Sequence, residues 1–172
     1  PINANGDAEG CKWNDGVVTT PAGFKDAYQQ YVDGGWTGMT HPEEFGGQDL
    51  PYSLNSVMAE WFSSANHSWA MYPGLSQGCI ETLKEHGTAA QQKMFLHNLV
   101  GGSWTGTMCL TEPHCGSDLG MLKCKAEPNA DGSYSLTGTK IFISAGEHDM
   151  SENIVHIVIA RLPDAPSGTK GI

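Results

Sequence analysis

The 172-residue chain is poor in cations: it has nine Lys+Arg against nineteen Asp+Glu, a formal net charge of -10. No basic run is present, which excludes a nucleic-acid groove, because phosphate contacts need clustered Lys and Arg. Long apolar runs are missing as well, so no segment reads as a membrane span. No charged start followed by an apolar stretch marks a secretory signal. The five cysteines (Cys11, Cys79, Cys109, Cys115, Cys124) include no Cys-x-x-Cys pair. Their odd number and irregular spacing argue against a disulfide framework or zinc module and for a reduced, cytoplasmic setting, with the thiols as small buried hydrophobes. Asn66-His67-Ser68 matches a glycosylation sequon and, without a secretory signal, reads as chance. Pro1 is not an initiator methionine, and the chain stops at Ile172 as an apolar segment begins, so a piece of a longer protein is expected.

What is present is a globular composition, 39% hydrophobic and 16% charged, with two grammars in succession. Residues 1–20, rich in Gly, Asp and Asn, read as irregular. Thr20 as N-cap and Pro21 in the first turn predict a helix closed by Gly34, with Phe24, Ala27, Tyr28 and Tyr31 on one face. The stretch 34–51 is a glycine- and proline-marked loop. Leu54, Val57, Met58, Trp61, Phe62 and Ala65 recur at helical spacing and predict a core-facing stripe. A third helix over 72–87 turns Leu75, Cys79, Ile80 and Leu83 inward. Thr88 with Gln91 forms a capping box for a fourth, which buries Met94, Phe95 and Leu99 and ends at Gly101-Gly102. His86 and His97 read as surface or core-edge residues, and His156, inside the strand over 153–162, as structural.

From Ser103 the pattern is β. "SWTGTMCL" is a strand, "MLKCKAEP" (121–128) alternates, Asp131-Gly132 signals a hairpin, "SYSL" and "KIFIS" (140–144) continue a meander, and 153–162 is a strand whose near-continuous apolar run predicts burial on both faces. Helices first and antiparallel strands after predict an α+β chain: an N-terminal helical domain over 1–102 and an antiparallel β-domain over 103–172. "GGWTGM" (34–39) and "GGSWTGTM" (101–108) look alike, but their contexts differ and no repeat is inferred.

Two strand ends carry the candidate chemistry. "MCLTEPHCGSDLG" (108–120) breaks at Thr111-Glu112-Pro113 and turns through Gly116-Ser117-Asp118, which offers backbone N–H groups and two hydroxyls without fixed charge. Such groups suit a phosphate or the polar edge of a ring. "KIFISAG" (140–146) likewise ends on Phe142 and Ser144 before a glycine. The plain alternative is a pair of ordinary strand–turn junctions. His114 beside Cys109 and Cys115 lacks the spacing of a metal site.

These stretches resemble the acyl-CoA dehydrogenase family. "PEEFGG" (42–47) after "GWTGM" is similar to a loop of its helical domain, "MCLTEPHCGSD" (108–118) to its flavin-binding signature, and "GTKIFISAG" (138–146) to a second flavin segment. There Phe142 stands where Trp is common, and His114-Cys115 replace usually smaller residues. The likeness covers about residues 20–172, and the stretches 34–48 and 143–172 look most like the bacterial 3-methylmercaptopropionyl-CoA dehydrogenase-like subgroup. The resemblance implies FAD as cofactor, lined by Met108, Cys109, Leu110, Thr111, Ser117, Phe142, Ile143 and Ser144. Leu110 and Thr111 would face the flavin pyrimidine, Phe142 would pack on the ring, and Ser144 would bond near its N5. Ser117 and Met108 would also meet the acyl-CoA substrate.

It further implies oxidation of an acyl-CoA to the 2,3-enoyl-CoA, electron transfer to an electron-transfer flavoprotein, and a homo-oligomer. The base, a glutamate in most members, is expected from a C-terminal helical domain past Ile172, since Glu112, Glu147 and Glu152 do not occupy its place. The fragment alone is therefore expected to be inactive. Two rival readings stand beside this one: an acyl-CoA oxidase or related flavin oxidase, and a non-catalytic binding module on the same fold.

Overall fold

Thr88 opens the helix that the sequence defines best. In the computed structural model, which describes residues 1–172, α4 (Ala89–Gly101) begins with the full capping box. The Thr88 hydroxyl accepts the Gln91 N–H at 3.3 Å, and the Gln91 side-chain oxygen accepts the Thr88 N–H at 2.8 Å. Gly102 ends it at φ 81, where a Cβ would strike Thr37 and Val32 at 2.7 Å. Its buried side is Leu96, Leu99 and Val100; Met94 is exposed instead, one residue off the expected face.

The chain's internal contacts divide into two units: Pro1–Thr107 with Ser144–Val155, and Met108–Ile143 with His156–Ile172. In the first, the irregular start expected over 1–20 is replaced by α1 (Ile2–Glu9) and a hairpin, β1 (Lys12–Asn14) with β2 (Val17–Thr19). The hairpin turns on Asp15 and Gly16, both at positive φ. Then α2 (Phe24–Asp33) starts from Gly23, not Thr20. Thr20 is held elsewhere: its hydroxyl and N–H both donate to Asp149, at 2.7 and 3.1 Å.

The two central helices expected from periodicity are present and meet at a break at Asn66 (φ -162, ψ 96) within the run α3 (Ser53–His86), so the second begins just after Asn66 and not at 72. The Asn66 carboxamide oxygen accepts the Trp69 N–H at 3.0 Å, so Asn66 restarts the helix as an N-cap would. It is buried, which removes it as a glycosylation acceptor. The core is an aromatic cluster of Phe24, Tyr28, Tyr31 and Trp69 with Met150, joined by Phe62. Tyr31 meets Phe62 and Trp69 edge-on at 5.4 and 5.6 Å, the geometry aromatic rings prefer. Of the stripe expected to face inward, Met58 is buried and Phe62 packs on this cluster. Leu54, Val57 and Ala65 are exposed and Trp61 is 60% exposed.

The strands β3 (Trp104–Cys109) and β6 (Asn153–Val158) each pass from the first unit into the second and pair with one another. Glu152 N–H bonds the Ser103 carbonyl and Ile159 N–H bonds the Cys109 carbonyl, so the two strands advance in the same sense. The antiparallel arrangement expected throughout is found in β4 (Lys125–Pro128) with β5 (Tyr134–Thr137), registered from Lys125↔Thr137 to Pro128↔Tyr134. With one pairing neighbour, β6 is half-buried and not buried on both faces. No strand forms over 140–144: Phe142 (φ 55) and Ala145 (φ 54) leave the extended region. The second unit's buried apolar cluster is small: Cys115, Leu122 and Cys124.

Candidate functional site

The segment 108–112 leaves the end of β3, and its side chains alternate as a strand requires. Met108 points out, 42% exposed, while Cys109 points in, its sulfur 3.7 Å from His156 Nδ1. Burial pushes the Cys109 thiol upward, only partly offset by Lys140; it is a thiol, not a thiolate. Three successive carbonyls then find partners on two segments. Cys109 O accepts Ile159 N–H at 3.2 Å, Leu110 O accepts the Lys140 ammonium at 3.0 Å, and Thr111 O accepts Ile141 N–H at 2.9 Å.

Glu112 lies beneath, 3% exposed. Its carboxylate accepts the N–H groups of Lys123 (2.8 Å) and Cys124 (2.9 Å) and the Lys140 ammonium (3.0 Å). Burial raises its pKa, but these hydrogen bonds and the ammonium outweigh it and hold the carboxyl below its ordinary value. The Glu112 and Cys115 main chains exchange hydrogen bonds at 2.8 and 3.1 Å, closing the turn through Pro113 and His114. The run of residues over 108–120 is thereby accounted for: its carbonyls and carboxylate are tied inward, and the Ser117 side chain, with part of Thr111, stays at the surface.

The segment 140–143 is fastened at Lys140 and Ile141. Phe142 then stands 87% exposed on a left-handed backbone, a conformation that costs about 1 kcal/mol or more outside glycine. Ile143 is half-buried. Ser144 belongs to the first unit, where its carbonyl accepts the buried Thr107 hydroxyl at 2.8 Å and its own side chain is exposed. So Leu110, Thr111 and Phe142 are brought to one edge through Lys140 and Ile141. Cys109 reaches that edge only by its backbone, and Ser117 lies further along the same loop.

Lys140 and Glu112 were not singled out by the sequence; a charge pair 28 positions apart leaves no local signal. Glu112, His114 and Cys115 bring donor atoms within 4.8 Å of one another. The Lys140 ammonium at 3.0 Å already neutralises Glu112, and His114 Nε2 faces the Met121 carbonyl at 3.0 Å and must carry its proton there. That cluster is charge-balanced and unsuited to a cation. The Phe142 ring and the Met108 thioether are the large apolar groups these segments expose, and uncharged faces of this kind fit a flat heteroaromatic ring.

Residues 13–103 match the family described as acyl-CoA dehydrogenase, N-terminal domain. The whole chain is 48% identical to 3-methylmercaptopropionyl-CoA dehydrogenase of Ruegeria pomeroyi and spans 29% of that protein's length. Among solved structures, butyryl-CoA dehydrogenase from Megasphaera elsdenii matches 86% of the chain and 37% of its own, with TM-score 0.71 and 30% identity. An acyl-CoA dehydrogenase complexed with FAD from Bacillus anthracis matches 81% of the chain and 23% of its own, with TM-score 0.69 and 31% identity.

Proposed function

This chain belongs to the acyl-CoA dehydrogenase family, and on that premise we propose that it is part of a FAD-dependent enzyme that oxidises an acyl-CoA to the 2,3-enoyl-CoA. The leading substrate is 3-methylmercaptopropionyl-CoA, the compound named for the Ruegeria relative. The observation that carries the flavin reading is Phe142, held 87% exposed at φ 55 and fastened through Ile141 to the Thr111 carbonyl. A large apolar face displayed at such a backbone cost calls for a planar partner.

FAD, when bound, supplies a two-electron acceptor for the hydride leaving the substrate β-carbon. The chain's own residues bind and orient. Phe142 would pack on the ring, Leu110 and Thr111 would present backbone and hydroxyl to its polar edge, and Ile143 and the Cys109 backbone would line the site. Ser144 would offer a hydroxyl. Met108 would meet the acyl chain, and Ser117 would bridge the pyrophosphate region and the acyl-CoA. With a phenyl ring where an indole is common, ring packing is kept and one N–H donor is lost. Glu112 is unfit as the base that takes the α-proton, because its carboxylate is buried, paired and fully hydrogen-bonded. No base is assigned to residues 1–172. Electrons pass to an electron-transfer flavoprotein, and the full-length protein is a homo-oligomer.

The test is anaerobic mixing of the full-length flavoprotein with 3-methylmercaptopropionyl-CoA. Bleaching of the flavin band with formation of the enoyl-CoA is expected, followed by reoxidation by an electron-transfer flavoprotein. Reoxidation by air within seconds would reassign the protein as an oxidase. No bleaching with any acyl-CoA would refute the activity.

A further inference from the structure

Lys140 has a place in the fold that the flavin reading leaves unexplained. It is 11% exposed and spends its ammonium on two acceptors, the Leu110 carbonyl and the Glu112 carboxylate, both at 3.0 Å. The anchor of this arrangement is main chain: Lys123 and Cys124 N–H groups fix the carboxylate, the carboxylate fixes the ammonium, and the ammonium fixes Leu110. The next peptide along from Lys140 fixes Thr111 through Ile141 N–H, and Phe142 follows directly. Both borders of the proposed ring site, Leu110–Thr111 and Phe142, therefore hang on one residue.

We infer that Lys140, seated by Glu112, is a positioning residue for the flavin: it sets the Leu110–Thr111 edge and places a balanced charge pair behind the ring. The inference rests on the flavin reading above. Its first consequence is geometric. Without the ammonium the Leu110 carbonyl loses its partner and the edge its register, so FAD binds less tightly. Its second consequence is electrostatic. A neutral side chain at 140 leaves the buried Glu112 carboxylate without its ammonium, with only the His114 imidazole, Nε2 3.4 Å from Oε2, as a side-chain partner, in a setting where a charge acts at greater range than in solvent. A lone negative charge opposes electron uptake, so the flavin midpoint potential falls.

The experiment uses the full-length protein, stripped of flavin and titrated with FAD, with potentials measured on the reloaded forms. Lys140→Met is expected to raise the FAD dissociation constant at least ten-fold and to move the potential to more negative values. The paired variant E112Q/K140M restores neutrality: the potential returns toward wild type while the weakened affinity persists. The pair also removes the lone buried charge that could unfold K140M, so it decides the matter if the single variant does not fold. Wild-type affinity in the pair, or wild-type affinity and potential in K140M, overturns the inference. A wild-type protein that takes up no FAD at all overturns the flavin reading and this inference with it.

Discussion

The two units bury polar groups in opposite ways. In the first, an aromatic core shields neutral groups. His41 is fully buried with Glu81 3.5 Å from Nδ1, and His148 sits in a chain of hydroxyls. His148 Nδ1 accepts the Met150 N–H, so Nε2 carries the proton and donates to Thr105 at 3.0 Å; Thr105 donates onward to Ser151, and Ser151 to the Asn153 carbonyl. In the second unit the apolar cluster is three residues with partly buried neighbours, and a buried ion pair holds the chain instead. Where packing is thin, position is fixed by charged hydrogen bonds, which are shorter and more directional than dispersion contacts. The candidate site lies in the unit built that way.

The largest expected effect strikes the second unit. Lys140→Met leaves a buried carboxylate without its ammonium and costs about 3 kcal/mol of stability, read by denaturant unfolding. The loss should shrink in acid, since protonation of Glu112 removes the lone charge. Wild-type Glu112, with its folded pKa below the ordinary 4.5, contributes stability present above that value and lost as pH falls through the folded pKa. Next comes a cavity in the first unit. Leu96→Ala, at a side chain with no exposure, is expected to cost about 3 kcal/mol without changing the acid behaviour.

The histidines give the third effect. Burial pushes His148 and His41 below their ordinary 6.5, and the nearby acids only partly restore them. The unfolded chain takes up those protons first, so their contribution is complete above pH 6.5 and is lost as pH drops below it. The slope for each histidine reaches at most about 1.4 kcal/mol per pH unit. Replacing His148 with Gln should remove one such dependence from unfolding curves taken below pH 6.5. The smallest effect is local: Thr88→Ala breaks the capping box and should cost about 1 kcal/mol.

What was legible in the sequence was mostly local chemistry. The Thr88–Gln91 box, the closing Gly102, the Asp131-Gly132 hairpin and the Phe24–Tyr28–Tyr31 face all depend on residues within a few positions of one another. What was not legible depended on distant partners. Thr20 is a plausible helix cap until Asp149, 129 positions on, claims both its donors. "KIFIS" has strand composition, but Lys140 is pulled to Glu112 and Leu110 and Phe142 turns left-handed, so the extended run is broken. The stripe on α3 has the helical period, but period alone does not say which of its residues are covered: Met58 and Phe62 pack inward, while Leu54, Val57, Trp61 and Ala65 stay exposed. At the candidate site, the motifs over 108–118 and 138–146 and their likeness to a family pointed to the segments. The lysine and glutamate that join them carry no pattern in a single sequence.

The most direct test of the flavin site is an FAD titration of the deflavinated full-length protein, wild type beside Phe142→Ala, followed by flavin absorbance and fluorescence. Saturable, stoichiometric uptake by the wild type, with affinity lowered at least ten-fold in the variant, is the outcome this account requires. No uptake by the wild type, or equal affinity in both, would contradict it.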